Sequence, residues 1–298
     1  MTFICDLCPR ECQRERSVDG AGTGFCRLGS EMIVARSALH HWEEPCISGS
    51  KGSGTIFFSG CNLSCVFCQN YKISHENYGV KVDESKLLDL FISLVEQGAH
   101  NINLVNPTPH ILHIIPVLEK FKRLFPNVPI VYNSSGYEKP DKLLALLGLV
   151  DVYLPDIKYC DGKISLKYSF AENYFAYATA SVREMLRQVG LPVFDAEGII
   201  TKGLIIRHLV LPGHTSDSIK IIDWIAKNIP NAYVSLMCQY IPFGRAQDFP
   251  ELNRRISKRE YLRVYNHLLT KSSVNGYIQE HDSAKEEYIP DFNLEGCE

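Results

Sequence analysis

The residues best suited to chemistry stand in one short stretch, GTIFFSGCNLSCVFCQN, residues 54–70. An uncharged β-type run, Thr55 to Ser59, ends at Gly60 and delivers Cys61, Cys65 and Cys68 at C-x3-C-x2-C spacing. Three thiolates so spaced can hold three irons of a cubane 4Fe-4S cluster, and no fourth cysteine lies close by. One iron then keeps an open coordination position, the usual mark of a metal site that does chemistry rather than a structural staple. A closed zinc site wants four protein ligands, and the next candidate, His75, is well past Cys68. Ferredoxin runs have other spacings, C-x2-C-x2-C or C-x4-C-x2-C. Disulfides do not suit a chain with an odd 11 cysteines and no recognisable secretory signal.

A second set of cysteines opens the chain. Cys5, Cys8, Cys12 and Cys26 follow C-x2-C-P-x2-C and then a glycine-rich return in which Gly20, Gly22 and Gly24 permit a tight backbone. This segment has too little apolar sequence to fold without a staple. Four thiolates can close a tetrahedral zinc site or hold an auxiliary 4Fe-4S cluster, and spacing alone leaves both open. Cys46, after Pro45, reads as a buried structural thiol, with a spare metal ligand as the alternative.

Charge and composition narrow the partners. The 298 residues are 45% hydrophobic and 22% charged, with a net charge of -3. That balance, with no basic run, gives no reason to expect nucleic-acid binding, and the apolar stretches are strand-sized rather than membrane-spanning. The cysteine usage predicts a reducing, cytoplasmic setting.

The elements that must position these cysteines follow from periodicity. Apolar runs at Ile102–Val105, Pro129–Tyr132, Asp151–Leu154, Gly203–Val210 and Ala232–Met237 come after the first strand. Helical patterns lie between them, such as Glu84–Gln97 with Asp83 as N-cap and Gly98 as stop, and His110–Leu124 interrupted by Pro116. Further helices are expected over Pro140–Leu147, Glu172–Val189, Ser216–Ile229 and Ser257–Lys271. Six strand-then-helix units predict an α/β fold, a partial (β/α)6 TIM-like barrel behind a short N-terminal Cys-rich metal-binding extension. The boundary is drawn between residues 1–50 and 51–298, at the glycine- and serine-rich CISGSKGSG. Chemistry in such barrels gathers at the C-terminal ends of the strands. That rule selects Asn106 and Thr108, Asn133 with Ser134 and Ser135, Asp156 with Lys158, Arg207 with His208, and His214. It also selects Gln239 with Tyr240, and Gln279 with Glu280 on a late short strand. Asp156 and Lys158, an i,i+2 pair, share one face of their strand.

With Phe67 just before Cys68, the cysteine loop resembles that of the radical S-adenosylmethionine (SAM) superfamily. WEEPCISGSKGSGTIFFSGCNLSCVFCQN, GAHNINLVNPTP, YNSSGYEK, VDVYLPDIKY, IIRHLVLPGH and NGYIQE resemble, over nearly the whole chain, its pyruvate formate-lyase activating enzyme-like members. The resemblance implies a 4Fe-4S cluster on Cys61, Cys65 and Cys68 that cleaves SAM reductively to a 5′-deoxyadenosyl radical. It implies ribose and carboxylate contacts from Asn133, Ser135, Asp156, Lys158 and Arg207. Where the family has a Gly-Gly-Glu-like segment for the amino group, this chain has Asn106-Pro107-Thr108, which leaves that contact to backbone carbonyls or Asn106. Tyr240 stands where activating enzymes carry a histidine. The implied partners are an electron donor such as flavodoxin or ferredoxin, and a substrate that is either a protein or peptide backbone, as in glycyl-radical activation, or a small molecule. A non-catalytic iron–sulfur electron carrier or redox sensor is the alternative, though a carrier needs no ring of polar strand ends.

Overall fold

Short apolar strands separated by amphipathic helices become stable only when stacked into a sheet that the helices cover. The computed structural model describes residues 2–18, 22–279 and 290–297. It begins with an antiparallel ribbon, β1 (Phe3–Cys5) and β2 (Arg14–Arg16). Next come β3 (Met32–His40), a single turn α1 (Pro45–Ser48) and β4 (Ser53–Phe58). Then follow α2 (Tyr71–His75), β5 (Val80–Val82) and α3 (Glu84–Glu96). The chain goes on through β6 (Ile102–Val105), α4 (Ile111–Leu124), β7 (Ile130–Ser134), α5 (Pro140–Leu143) and β8 (Val152–Pro155). Two helices, α6 (Gly162–Ser169) and α7 (Tyr174–Val189), lead to β9 (Val193–Phe194), which pairs antiparallel with β10 (Ile200–Leu209). α8 (Thr215–Asn228), β11 (Ala232–Met237), α9 (Lys258–Leu269) and β12 (Val274–Ile278) complete the series.

The strand order is β12-β11-β10-β8-β7-β6-β4-β3-β5. From β4 to β12 every neighbouring pair is parallel, while β3 and β5 extend the other end antiparallel. This is an α/β fold with a mostly parallel central sheet. The six strands expected from the sequence are all present, and β12 supplies the late short one. β3 and β5 are additions. β3 lies within the stretch read as the N-terminal extension, yet it is hydrogen-bonded to β4 along its length. Arg36 and Ser37 break its apolar run, so only pairing on both sides makes it part of the sheet. Pro116 sits inside α4 without ending it. Among the described residues, no helix is long and apolar enough to cross a membrane.

Period-two alternation decides what each face of the sheet meets. Leu104, Tyr132, Tyr153 and Ile206 pack against Phe91 of α3, Ile114 of α4 and Val182 of α7. Val131, Val152, Leu154 and Ile205 point the other way and pack against Cys46 and Ile47 of α1. Cys46 is thus the buried structural thiol that its sequence context suggests. In the same two-residue step, Asn133, Asp156 and Arg207 share the α1 face, one position nearer the C-terminal strand ends. The helices are held by local chemistry. The Asp83 side chain accepts from the Lys86 N–H at the start of α3, and Ser257 with Glu260 forms a reciprocal capping box on α9.

One buried acid makes the fold pH-dependent. Glu138 is 2% exposed and accepts the Thr108 hydroxyl at 2.5 Å. Burial, opposed by hydrogen bonds from Thr108 and Ser134, pushes its carboxyl up from 4.5 to about 7. A folded-state value above the unfolded one means this stabilising contribution is full below about 4.5 and is lost as pH rises through about 7. A shift of that size corresponds to about 3 kcal/mol. Urea unfolding of Glu138→Gln at pH 5 and pH 8 should show a smaller loss of stability across this interval than wild type. Equal losses in the two proteins would remove Glu138 as the cause.

Candidate functional site

The cysteine loop leaves β4 through Gly60, whose φ of +83° suits glycine and where an added Cβ would stand 2.3 Å from the Leu28 side chain. Ser64 is also left-handed, at φ 51°, and turns the chain into Cys65. Leu63, Val66 and Phe67 are buried and pin the loop, with the Phe67 ring edge-on to Tyr240 at 5.7 Å. The Val66 N–H donates to the Tyr168 carbonyl at 2.9 Å. With these neighbours anchored, the three cysteines line one cavity.

That cavity collects the polar strand ends as well. Its walls include Cys61, Cys65 and Cys68 together with Asn106, Asn133, Ser135, Asp156, Lys158 and Arg207. Two sulfurs already accept hydrogen bonds: Cys65 Sγ from the Ser169 hydroxyl at 2.9 Å, and Cys61 Sγ from the Leu63 N–H at 3.3 Å. Burial, then the neighbouring Cys65 sulfur, pushes the Cys61 thiol up to about 11 and the Cys68 thiol to about 12. Thiolates in such a place call for a metal to hold their charge. Three soft donors on one loop, two of them hydrogen-bonded, fit an iron–sulfur cluster. Among the described residues, no group of three or more His, Cys, Asp or Glu is placed to hold a single metal ion.

Opposite the cysteines lies a network of charges. Asp156 accepts from Lys158 Nζ at 2.5 Å and from Arg207 Nε at 3.0 Å. Burial works against its charge, but Lys158 and Arg207 overcome that and hold its carboxyl below the usual range. Arg207 also donates to Asn133 Oδ1 at 2.5 Å and to Glu43 Oε2 at 3.3 Å. The other Glu43 oxygen accepts from Asn103 and from Asn133, each at 3.2 Å. Asn106, at φ 59°, donates from its amide to the Gly60 carbonyl and ties the second strand end to the cysteine loop.

Other expected residues stand outside these walls. Thr108 donates to Glu138, and the Tyr240 hydroxyl donates to the Leu252 carbonyl at 2.8 Å. The Gln239 side chain accepts from Gln279 at 3.3 Å while its carbonyl accepts from Gln69. Tyr240 and Gln239 therefore brace the cysteine loop from behind. His208 contacts the Ile157 carbonyl through Nδ1, and His214 meets the Tyr168 hydroxyl through Nε2. Glu280, and Gly20 of the glycine-rich return, lie outside the described residues. Cys5, Cys8, Cys12 and Cys26 line a separate small cavity. Two contributors are missing from the sequence reading, Glu43 and Ser169. Glu43 looks like half of a solvated acid pair until α1 is seen to cross the inner face of the sheet.

The fold and the cysteine loop define a class. The family model for the Radical SAM superfamily matches residues 55–225, more than half of the chain, and the chain belongs to that superfamily. Membership implies an enzyme that uses a 4Fe-4S cluster and SAM. An uncharacterized protein of Methanocaldococcus jannaschii is 34% identical over 265 residues, covering 86% of this chain and 71% of its own. Among solved structures, Streptococcus suis SuiB bound to the precursor peptide SuiA has a TM-score of 0.49 at 13% identity, covering 74% of this chain and 46% of SuiB. SuiB bound to S-adenosylmethionine has a TM-score of 0.46 at 14% identity, covering 76% of this chain and 47% of SuiB. The chain thus spans about half the length of SuiB.

Glu43 gives the network a direct test. Truncation to alanine deprives Arg207, Asn103 and Asn133 of one shared acceptor and should lower stability by about 3 kcal/mol, the usual result of breaking a buried pair from one side. Glu43→Gln keeps one acceptor oxygen and should lose less. Denaturant unfolding of both variants measures this, and a loss below about 0.5 kcal/mol in the alanine variant would mean that Glu43 does not hold the network.

Proposed function

We propose that the chain reductively cleaves SAM and directs the resulting radical at a protein or peptide substrate, within a partial (β/α)6 barrel. The supporting observation is the single cavity in which Cys61, Cys65 and Cys68 face the polar ends of β6, β7, β8 and β10. Cys61, Cys65 and Cys68 would hold a 4Fe-4S cluster, which would supply the single electron for reductive cleavage of SAM to methionine and a hydrogen-abstracting 5′-deoxyadenosyl radical. The remaining work belongs to the protein's own residues. Arg207 and Lys158, both tied to Asp156, present positive charge to a carboxylate at the cavity wall. Asn133 and Ser135 offer amide and hydroxyl groups to a ribose. Asn106 fixes the Gly60 carbonyl, so that a backbone acceptor faces the amino group in place of the family's acidic segment. Buried walls keep water and oxygen from the radical.

The substrate side of the proposal rests on shape. The sheet path runs from β12 to β5, and these two ends do not pair with each other among the described residues. Long helices cover only the outer face, as in a sheet that curls without closing, and the proposed peptide loop approaches from the face that they leave uncovered. A low-potential carrier such as flavodoxin or ferredoxin is the proposed electron donor. A second metal at Cys5, Cys8, Cys12 and Cys26, and a cytoplasmic setting, belong to the same reading.

Anaerobic assays with dithionite and SAM test this proposal. Cys65→Ala should yield no 5′-deoxyadenosine, and formation at the wild-type rate would sink the assignment. Lys158→Ala should keep its cluster iron while its KM for SAM rises about tenfold, the effect of losing one charge-assisted contact. An unchanged KM would place the SAM carboxylate elsewhere.

A further inference from the structure

The N-terminal ribbon places Cys5, Cys8, Cys12 and Cys26 around one small cavity whose walls also include Arg10, Arg14 and Arg16. Two of these sulfurs accept hydrogen bonds. The Phe25 N–H reaches Cys12 Sγ at 3.3 Å, and the Arg16 guanidinium reaches Cys26 Sγ at 2.8 Å. The ligand-bearing backbone is held in uncommon conformations. Glu11 and Gln13 flank Cys12 with φ of 43° and 48°, and Arg27 follows Cys26 with φ of 56°. Left-handed non-glycine residues are strained and persist where the surroundings enforce them. Gly24 closes the return against Cys12, where an added Cβ would lie 3.5 Å from the sulfur.

Spacing and surroundings together favour one of the two metals that thiolates would take. Zinc sites typically draw on two ligand pairs brought to one point. Iron–sulfur runs crowd three cysteines together and take a fourth from farther along. Cys5, Cys8 and Cys12 are crowded and Cys26 is remote. The four thiols ring one cavity. Arginines line the walls, as an anionic cluster requires. We infer that Cys5, Cys8, Cys12 and Cys26 hold a second iron–sulfur cluster, docked directly against the loop that carries Cys61, Cys65 and Cys68. Arg10 makes the dock. Its Nε donates to the Asn62 carbonyl at 2.7 Å, and its Nη2 donates to the Ser169 carbonyl at 2.8 Å. Asn62 adjoins Cys61 and also lines the N-terminal cavity, while the Ser169 hydroxyl donates to Cys65 Sγ. This assignment does not depend on the SAM chemistry.

Anaerobic reconstitution of the full chain with iron and sulfide tests it, read by iron count, visible absorption and EPR after reduction. Wild type should bind about eight irons, and two variants about four each. In the first variant Cys61, Cys65 and Cys68 are all changed to alanine. In the second, Cys8 and Cys12 are changed to serine. The first leaves the ribbon intact, so it decides the matter even if the second does not fold. A triple-alanine variant without iron, or with one equivalent of zinc that reconstitution does not displace, would overturn the inference. A wild type with about four irons that all remain in the triple-alanine variant would support this site and sink the SAM-cleaving one.

Discussion

Asp156 carries its charge in a place where burial opposes it, and the site is organised by what makes that charge tolerable. Lys158 reaches it from two residues along the same strand end, and Arg207 from the neighbouring strand, where the two residues also form an isolated parallel bridge. A buried carboxylate with one cation would leave that cation free to swing elsewhere. With two, and with Glu43 and Asn133 fixing the far side of Arg207, each charge has a defined direction. The geometry offered to a ligand is therefore set before any ligand arrives, which is the condition for electrostatic recognition to be worth more than it is in water.

The same constraint links fold and chemistry. Parallel pairing from β4 to β12 puts the C-terminal ends of the strands on one side, and the two-residue step assigns alternate side chains to the helix layer or to the inner face. Val131 and Asn133, or Leu154 and Asp156, are the same strand used twice, once for packing against α1 and once for the site. Packing and chemistry are neighbours along the chain, so small shifts of α1 reach the charges through Glu43.

Much of this could be read from the residues. The strand series and the long helices follow from apolar periodicity, and the cysteine loop with the polar strand ends follows from parallel topology. Asn106, Asn133, Ser135, Asp156, Lys158 and Arg207 were reachable that way because each sits next to a recognisable strand end. Glu43 was not, since its burial depends on a segment that precedes the first parallel strand and crosses a face formed by residues far along the chain. Thr108 and Tyr240 misled for the opposite reason. They stand at strand ends, but Thr108 turns toward the buried Glu138 and Tyr240 supports Phe67 from the rear. β3 escaped notice because its alternation is broken by Arg36 and its partners β4 and β5 both come later in the chain.

The short turn α1 has a consequence for the strands above it. Cys46 and Ile47 fill the inner face of the sheet beneath the polar cavity, packed on Val131, Val152 and Ile205. A larger side chain at Cys46 would press on the strands that carry Asn133 and Arg207, so a residue outside the cavity helps set the spacing of those that line it.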